Sequence, residues 1–241
     1  MKQVASFVVL LVILFSVTGC KPLNGNSSIS PDQIPGTIAG IDRTVEIVSY
    51  DISGKEVVMT GVGRADFDKY YPNAVSLTED TDSIIVAETI AVHYSHMQGF
   101  AVTYYDVLVE ESWKGEIGIG DTLTVMQPSG YVRGDIFSEQ RGLWGEEPLT
   151  ADQLVKELVY GEPLPEVGER YILFLTEWNE PELKNIYCTV GEFMGRYVIE
   201  NGNVSRYKPE DNPDIYNVPG YTADPETLDG LRLAVADTLK I

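Results

Sequence analysis

Histidine occurs twice, cysteine twice and tryptophan three times in 241 residues, and 17 basic side chains face 37 acidic ones. Each shortage excludes something. A formal net charge of −20 repels phosphate backbones and anionic headgroups, so nucleic acid is not an expected partner. Two cysteines cannot build the disulfide framework of a small secreted domain, so a hydrophobic core has to hold the fold. The apolar run Phe7–Phe15 is too short to span a bilayer comfortably. No G-x-S-x-G elbow, phosphate-cradling loop or dinucleotide glycine pattern is present. Glu110 and Glu111 are adjacent on an expected strand and point to opposite faces, which makes them a poor acid/base pair.

What is there begins at the amino end. Lys2 precedes FVVLLVILF, a charged start and an apolar run that together read as a secretory signal. The run ends in Val17-Thr18-Gly19-Cys20. This resembles the bacterial lipobox, an aliphatic residue and two small residues before a cysteine. The resemblance implies a diacylglyceryl thioether on Cys20, cleavage before it and acylation of the new amino terminus. Each buried acyl CH₂ contributes about 0.8 kcal/mol, so several chains anchor firmly. Residues 1–19 are then a lipoprotein signal peptide, and the expected location is the bacterial cell envelope with the polypeptide outside the cytoplasm. Their removal takes away one lysine and no acid, which moves the net charge from −20 to −21. Lipidated Cys20 leaves Cys188 without a partner, and that thiol reads as an inert strand residue.

Residues 20–35, rich in Pro, Ser, Asn and Gly, read as a flexible lipidated tether. Residues 36–65 carry two β-type runs around Asp51-Ile52-Ser53-Gly54, which predicts an N-terminal hairpin. Residues 66–212 hold the long runs. Ser83–Tyr94 and FAVTYYDVLVEESW predict a long hairpin with apolar groups on both faces or a bulge, either of which suits a closed barrel. Thr122–Gln127, Glu169–Leu175 and NIYCTV are further strands. Asn201-Gly202 between alternating runs predicts a type I′ hairpin. Thr150 and Gln153 match a capping box, and with Leu154, Val155, Leu158, Val159 and Gly161 they predict an inserted helix. Residues 213–241 predict an amphipathic C-terminal helix, capped at Asp224 and striped by Leu228, Leu231, Val235 and Leu239.

The segments DSIIVAETIAV, YYDVLVEESWKGEIGIGDTLTVMQPSG, EVGERYILFL and GEFMGRYVIENGNV, in that order, resemble a group of uncharacterised bacterial secreted proteins and lipoproteins. The resemblance spans Leu77 to Tyr207. It implies a mainly β fold, an OB-like closed β-barrel distantly similar to the inhibitory module of tissue inhibitors of metalloproteinases. Those inhibitors reach zinc with a free amino-terminal cysteine held by disulfides. Here Cys20 would be acylated on a tether, so that activity is not carried over.

Candidate site residues are few. Trp144 in GLWGEEP, Trp113 and Trp178 could form a recognition surface; ordinary core packing is the competing reading. His93 and His96 are weak metal candidates. They fall on opposite faces if they lie in a strand, and converge only in a loop. No cofactor is expected. The reading is a non-enzymatic binding domain on a lipid anchor, with a protein or glycan ligand. The alternatives are a metal-dependent envelope hydrolase using His93 and His96, and a purely structural envelope protein. Intact mass of the chain from a bacterial membrane fraction is expected to lack residues 1–19 and to carry acyl chains, both lost in Cys20→Ala. An acyl-free wild-type mass overturns the anchor.

Overall fold

The computed structural model describes residues 47, 49–67, 69–141, 147–178, 185–210, 212 and 214–240, plus Val12–Val17; for the latter and residues 65–67 only the backbone is described. In chain order the strands are β1 Val12–Val17, β2 Glu56–Phe67, β3 Ser83–Met97, β4 Phe100–Lys114, β5 Thr122–Gln127, β6 Gly130–Arg133, β7 Gln153–Val159, β8 Arg170–Glu177, β9 Ile186–Thr189, β10 Arg196–Glu200 and β11 Asn203–Arg206. The helices are α1 Ala74–Asp80, α2 Gly134–Arg141 and α3 Leu228–Leu239.

β3 pairs antiparallel with both β4 and β8, and β4 pairs with β5. β9 then lies parallel to β5 and antiparallel to β8, which closes a five-stranded ring. The fold is therefore mainly β with a closed barrel, as the long runs require. Alternation explains why both faces of these strands are apolar. Ile85, Ala87, Tyr105, Val107, Val125, Leu173 and Leu175 fill the interior. Ile84, Val86, Ile172 and Phe174 point outward into a second core, shared with Leu77 of α1 and Leu231 and Val235 of α3. The β3–β4 ladder also shifts register at three places, between Ile84 and Ile85, Val86 and Ala87, and Thr89 and Ala91. Bulges of this kind supply the curvature a barrel needs.

Local signals explain the smaller elements. Asn73 caps α1 through a reciprocal box with Ser76. Asn201 and Gly202 both have positive φ, as a type I′ turn between β10 and β11 demands. α3 begins at Leu228 under a Thr227 cap, later than the Asp224 cap expected. Asp224 instead accepts from Ala74 N at 2.7 Å and Tyr197 Oη at 2.8 Å and pairs with Arg206 at 2.8 Å. Leu231 and Val235 are the buried part of the expected stripe, while Leu239 is exposed.

Two elements differ from the sequence reading. The helix expected from Thr150 to Gly161 is a strand, β7, and the inserted helix is α2. The capping-box residues do meet: Gln153 Oε1 accepts from Thr150 N at 2.9 Å, and Thr150 O accepts from Gln153 N at 3.1 Å. They form a turn that launches the chain into a slot between β2, parallel on one side, and β6, antiparallel on the other. Ladder bonds on both edges outweigh a weak helical preference. The expected N-terminal hairpin is also absent from the described part of residues 36–65. β2 pairs with β7, and Tyr50, before the turn, donates its N–H to Tyr94 O at 2.8 Å. Val12–Val17, read as the apolar centre of a signal, runs parallel to Arg64–Phe67 at the edge of this four-stranded sheet. Among the described residues no helix is long and apolar enough to cross a membrane.

Gly195, just before β10, tests a tight junction of the fold. A Cβ there would sit 2.4 Å from Val190 O, a backbone atom that cannot swing away. Gly195→Ala is expected to cost about 1–3 kcal/mol, read as a lower denaturation midpoint. An unchanged midpoint would contradict the described packing.

Candidate functional site

The sequence-expected residues that are described do not assemble. His93 and His96 lie within β3, not in a loop. His93 Nε2 is 3.4 Å from Oδ2 of Asp106, a fully buried carboxylate whose Oδ1 accepts from Thr124 Oγ1 at 2.7 Å. His96 instead stacks on Tyr50 and hydrogen-bonds its hydroxyl through Nδ1. Burial, then the nearby Arg133 charge, hold the His96 imidazole below its ordinary pKa. Among the described residues no group of three or more His, Cys, Asp or Glu is gathered in a way that could hold a metal ion.

The two described tryptophans, Trp113 and Trp178, separate as well. Trp113 packs against the core beside α3, donates Nε1 to Glu111 Oε2 at 2.8 Å and lies under the Arg232 guanidinium. Trp178 packs with Ile47, Val102, Tyr104, Met126 and Ile186 on another face of the barrel. Trp144 and Cys20 lie outside the described residues. Cys188 is buried in β9, where its sulfur lies 3.8 Å from Thr176 O.

A different constellation sits at the mouth of the barrel, where β5 and β9 end and β10 begins. Tyr105, Gln127, Pro128, Glu162, Thr189, Glu192 and Arg196 line a small, partly open cavity. Its volume of about 10 Å³ admits about one water-sized group. Two left-handed turns deliver the carboxylates. Tyr160 and Gly161 have φ of 54° and 77° and turn the chain so that Glu162 enters the mouth. Gly191 and Glu192 have φ of 65° and 53° and do the same from the far side of β9. A glutamate at positive φ is strained by roughly 1–2 kcal/mol, and the surrounding structure holds it there.

The cavity's charges are largely matched. Arg196, buried, pairs with Glu162 Oε1 at 2.7 Å and donates to Gln127 Oε1 at 2.8 Å and Pro163 O at 2.7 Å. Gln127 Nε2 donates to Glu162 Oε2 at 2.9 Å. The Arg196 guanidinium also lies over the Tyr171 ring at 5.2 Å. Burial opposes the Arg196 charge, but Glu162, Tyr105 and Tyr171 more than offset it and keep its pKa above the ordinary value. Burial pushes the Glu162 carboxyl up while Arg196 pulls it down. Glu192 stands apart. Its Oε2 is sealed from solvent and has no hydrogen-bond partner among the described residues. Burial first, and the Glu162 charge second, push its carboxyl up to about 8.

Sequence reasoning passed over this site. The available signals were an acid directly after a turn glycine, at Gly161-Glu162 and Gly191-Glu192, and an arginine opening an apolar strand. No family model matches the chain, and no curated protein does.

Glu192 makes stability pH-dependent. Its folded pKa lies above the ordinary carboxyl value of 4.5, so the native state holds a proton that the unfolded chain releases. The associated stability is full below about 4.5 and is lost as pH rises through about 8. Glu192→Gln keeps the shape and removes the ionisation. It is expected to melt several degrees above wild type at about pH 9, with the gap narrowing at about pH 4. A gap that does not change with pH refutes the assignment.

Proposed function

We propose that this chain is a lipid-anchored bacterial envelope protein whose barrel is a non-enzymatic binding domain, and that a protein or glycan ligand is engaged at the barrel mouth. The observation that carries the reading is Glu192, a strained and desolvated carboxyl whose Oε2 has no partner among the described residues. An unmade hydrogen bond at a buried polar atom costs about 1–3 kcal/mol, and a ligand donor met by a turn of the Glu192 side chain recovers it. The neighbouring polar groups are already bonded to one another, so the mouth is rigid before a ligand arrives. Lipidation at Cys20, inferred from Val17-Thr18-Gly19-Cys20, sets the location, and a strongly acidic body keeps the domain clear of anionic surfaces.

A thioether at Cys20 consumes its thiol, so an envelope-purified chain that is lipidated shows one thiol, Cys188, when denatured and reduced. Two thiols overturn the anchor. For the ligand, the full lipidated chain in detergent is immobilised and exposed to solubilised envelope of its native host. The expected result is enrichment of one protein or glycan, weakened at least tenfold by Glu192→Gln. Equal retention by Trp144→Ala places the ligand at the mouth, whereas loss with Trp144→Ala alone moves it to the Gly142–Pro148 segment. No enrichment overturns the binding reading.

A further inference from the structure

We infer that the outer face of the β3–β4 ladder, at the opposite end of β5 from the mouth, is a second docking surface. Its occupant is a partner protein that presents an apolar ridge flanked by lysine and arginine.

Two turns of the same construction frame the surface. Gly118–Asp121 and Glu166–Glu169 each close by a bond of 3.2 Å from the fourth N–H to the first carbonyl. In each, the carboxylate of the fourth residue also accepts from the first N–H at 2.7 Å. The third residue is a glycine at positive φ, 87° for Gly120 and 89° for Gly168, as a type II turn requires. Backbone bonds of 2.9 Å tie the first turn to Val109, and bonds of 2.8 Å tie the second to Thr89. The turns are therefore rigid, and each carries an aliphatic residue at its tip. Ile119 is 73 % exposed and Val167 is 66 % exposed. Between them lie Ile90 and Leu108, at 43 % and 39 %. Ile90 is the extra residue of the bulge between Thr89 and Ala91, which re-aims its side chain toward solvent. Leu108 stands between its ladder partners Glu88 and Thr122. β3 and β4 separate the two turns, which sets the tips about 14 Å apart across the sheet. None of these four side chains belongs to the hydrophobic clusters that hold the fold together. Exposed aliphatic groups gathered within a polar rim mark a protein contact.

The rim selects the occupant. Asp121, Glu166 and Glu169 belong to the two turns, Glu88 faces Leu108 across the ladder, and Glu116 precedes Ile119 in the same loop. Arg170, beside them at the start of β8, already donates through Nε and Nη2 to Glu110 Oε2. A second copy of this chain would bring the same carboxylates against these, and anionic headgroups are repelled for the same reason. A partner with an apolar ridge covers the aliphatic strip, and its flanking cations meet the acids around it.

Photo-cross-linking from the two tips tests this. The full chain in its native host carries p-benzoylphenylalanine in place of Ile119, of Val167 or, as a control, of Leu233, an exposed leucine of α3. The expected result is an adduct with one and the same protein from both tips and not from the control. The cross-linked peptide of that protein carries apolar residues flanked by lysine or arginine. Val167→Ser lowers the yield from position 119 at least threefold and leaves Tm unchanged, because the side chain is in solvent. In isolated membranes the yield falls severalfold between about 0.05 and 0.5 M salt, as the rim charges are screened. Different proteins at the two tips, an adduct between two copies of this chain, an adduct with lipid, an acidic cross-linked peptide, a yield indifferent to salt or no adduct at all each overturn the inference. Glu192→Gln separates this surface from the mouth. The adduct is expected to survive that substitution, and its loss assigns the partner to the mouth and removes the second surface. An adduct that persists when nothing is captured at the mouth leaves this surface standing and removes the mouth.

Discussion

Arg196 loses its hydration at the barrel mouth, and the elements around it are arranged to replace the lost water. Its partners come from separate parts of the chain: Gln127 ends β5, Glu162 and Pro163 follow β7, and Tyr171 belongs to β8. A buried ion pair of this kind adds little net stability, because desolvation consumes much of the attraction. Its effect is to fix geometry. Each of these segments has one position in which the guanidinium is fully bonded, so a misplaced turn after β7 or a slipped β5 leaves a charge stranded. The rigidity of the mouth, and the exposure of Glu192 to an unmet demand beside it, both follow from that requirement.

The end of β11, opposite the start of β10, uses the same device. Arg206 donates to Tyr71 O at 2.9 Å and to Pro72 O at 2.5 Å, pairs with Asp224 and lies against the rings of Tyr197 and Tyr216. It gathers the segment before α1 and the segment before α3 onto the β10–β11 hairpin. A chain with few basic residues thus uses two arginines, Arg196 and Arg206, as nearly buried junctions. Hydrophobic burial supplies the cohesion, and the arginines select which of the apolar arrangements is adopted.

The barrel was legible because its evidence is local and repeated. Alternating β-branched runs, turn glycines and Asn201-Gly202 each specify an element without reference to the rest. The small sheet was not legible. QLVKELV suits a helix stripe about as well as a strand, and only the distant β2 and β6 decide between them. The mouth was hidden for a related reason. Glu162 and Glu192 each look like a solvated acid after a turn, and their burial depends on Arg196 arriving from a third place. The histidines attracted notice because they are rare, yet β3 sends them to different partners, Asp106 and Tyr50.

Ring closure bears on the order in which the chain matures. The β3–β4–β5 meander is built from near neighbours in sequence, but the ring shuts only when β9 slots between β5 and β8, after β6, α2, β7 and β8 have been laid down. Contacts this distant form late and slowly. A chain delivered amino end first therefore passes through a stage in which β5 presents a bare edge flanked by apolar groups, an open template for strands of other copies. The net charge of −20 acts most usefully at that stage, by keeping half-built barrels apart until the last staves are in place.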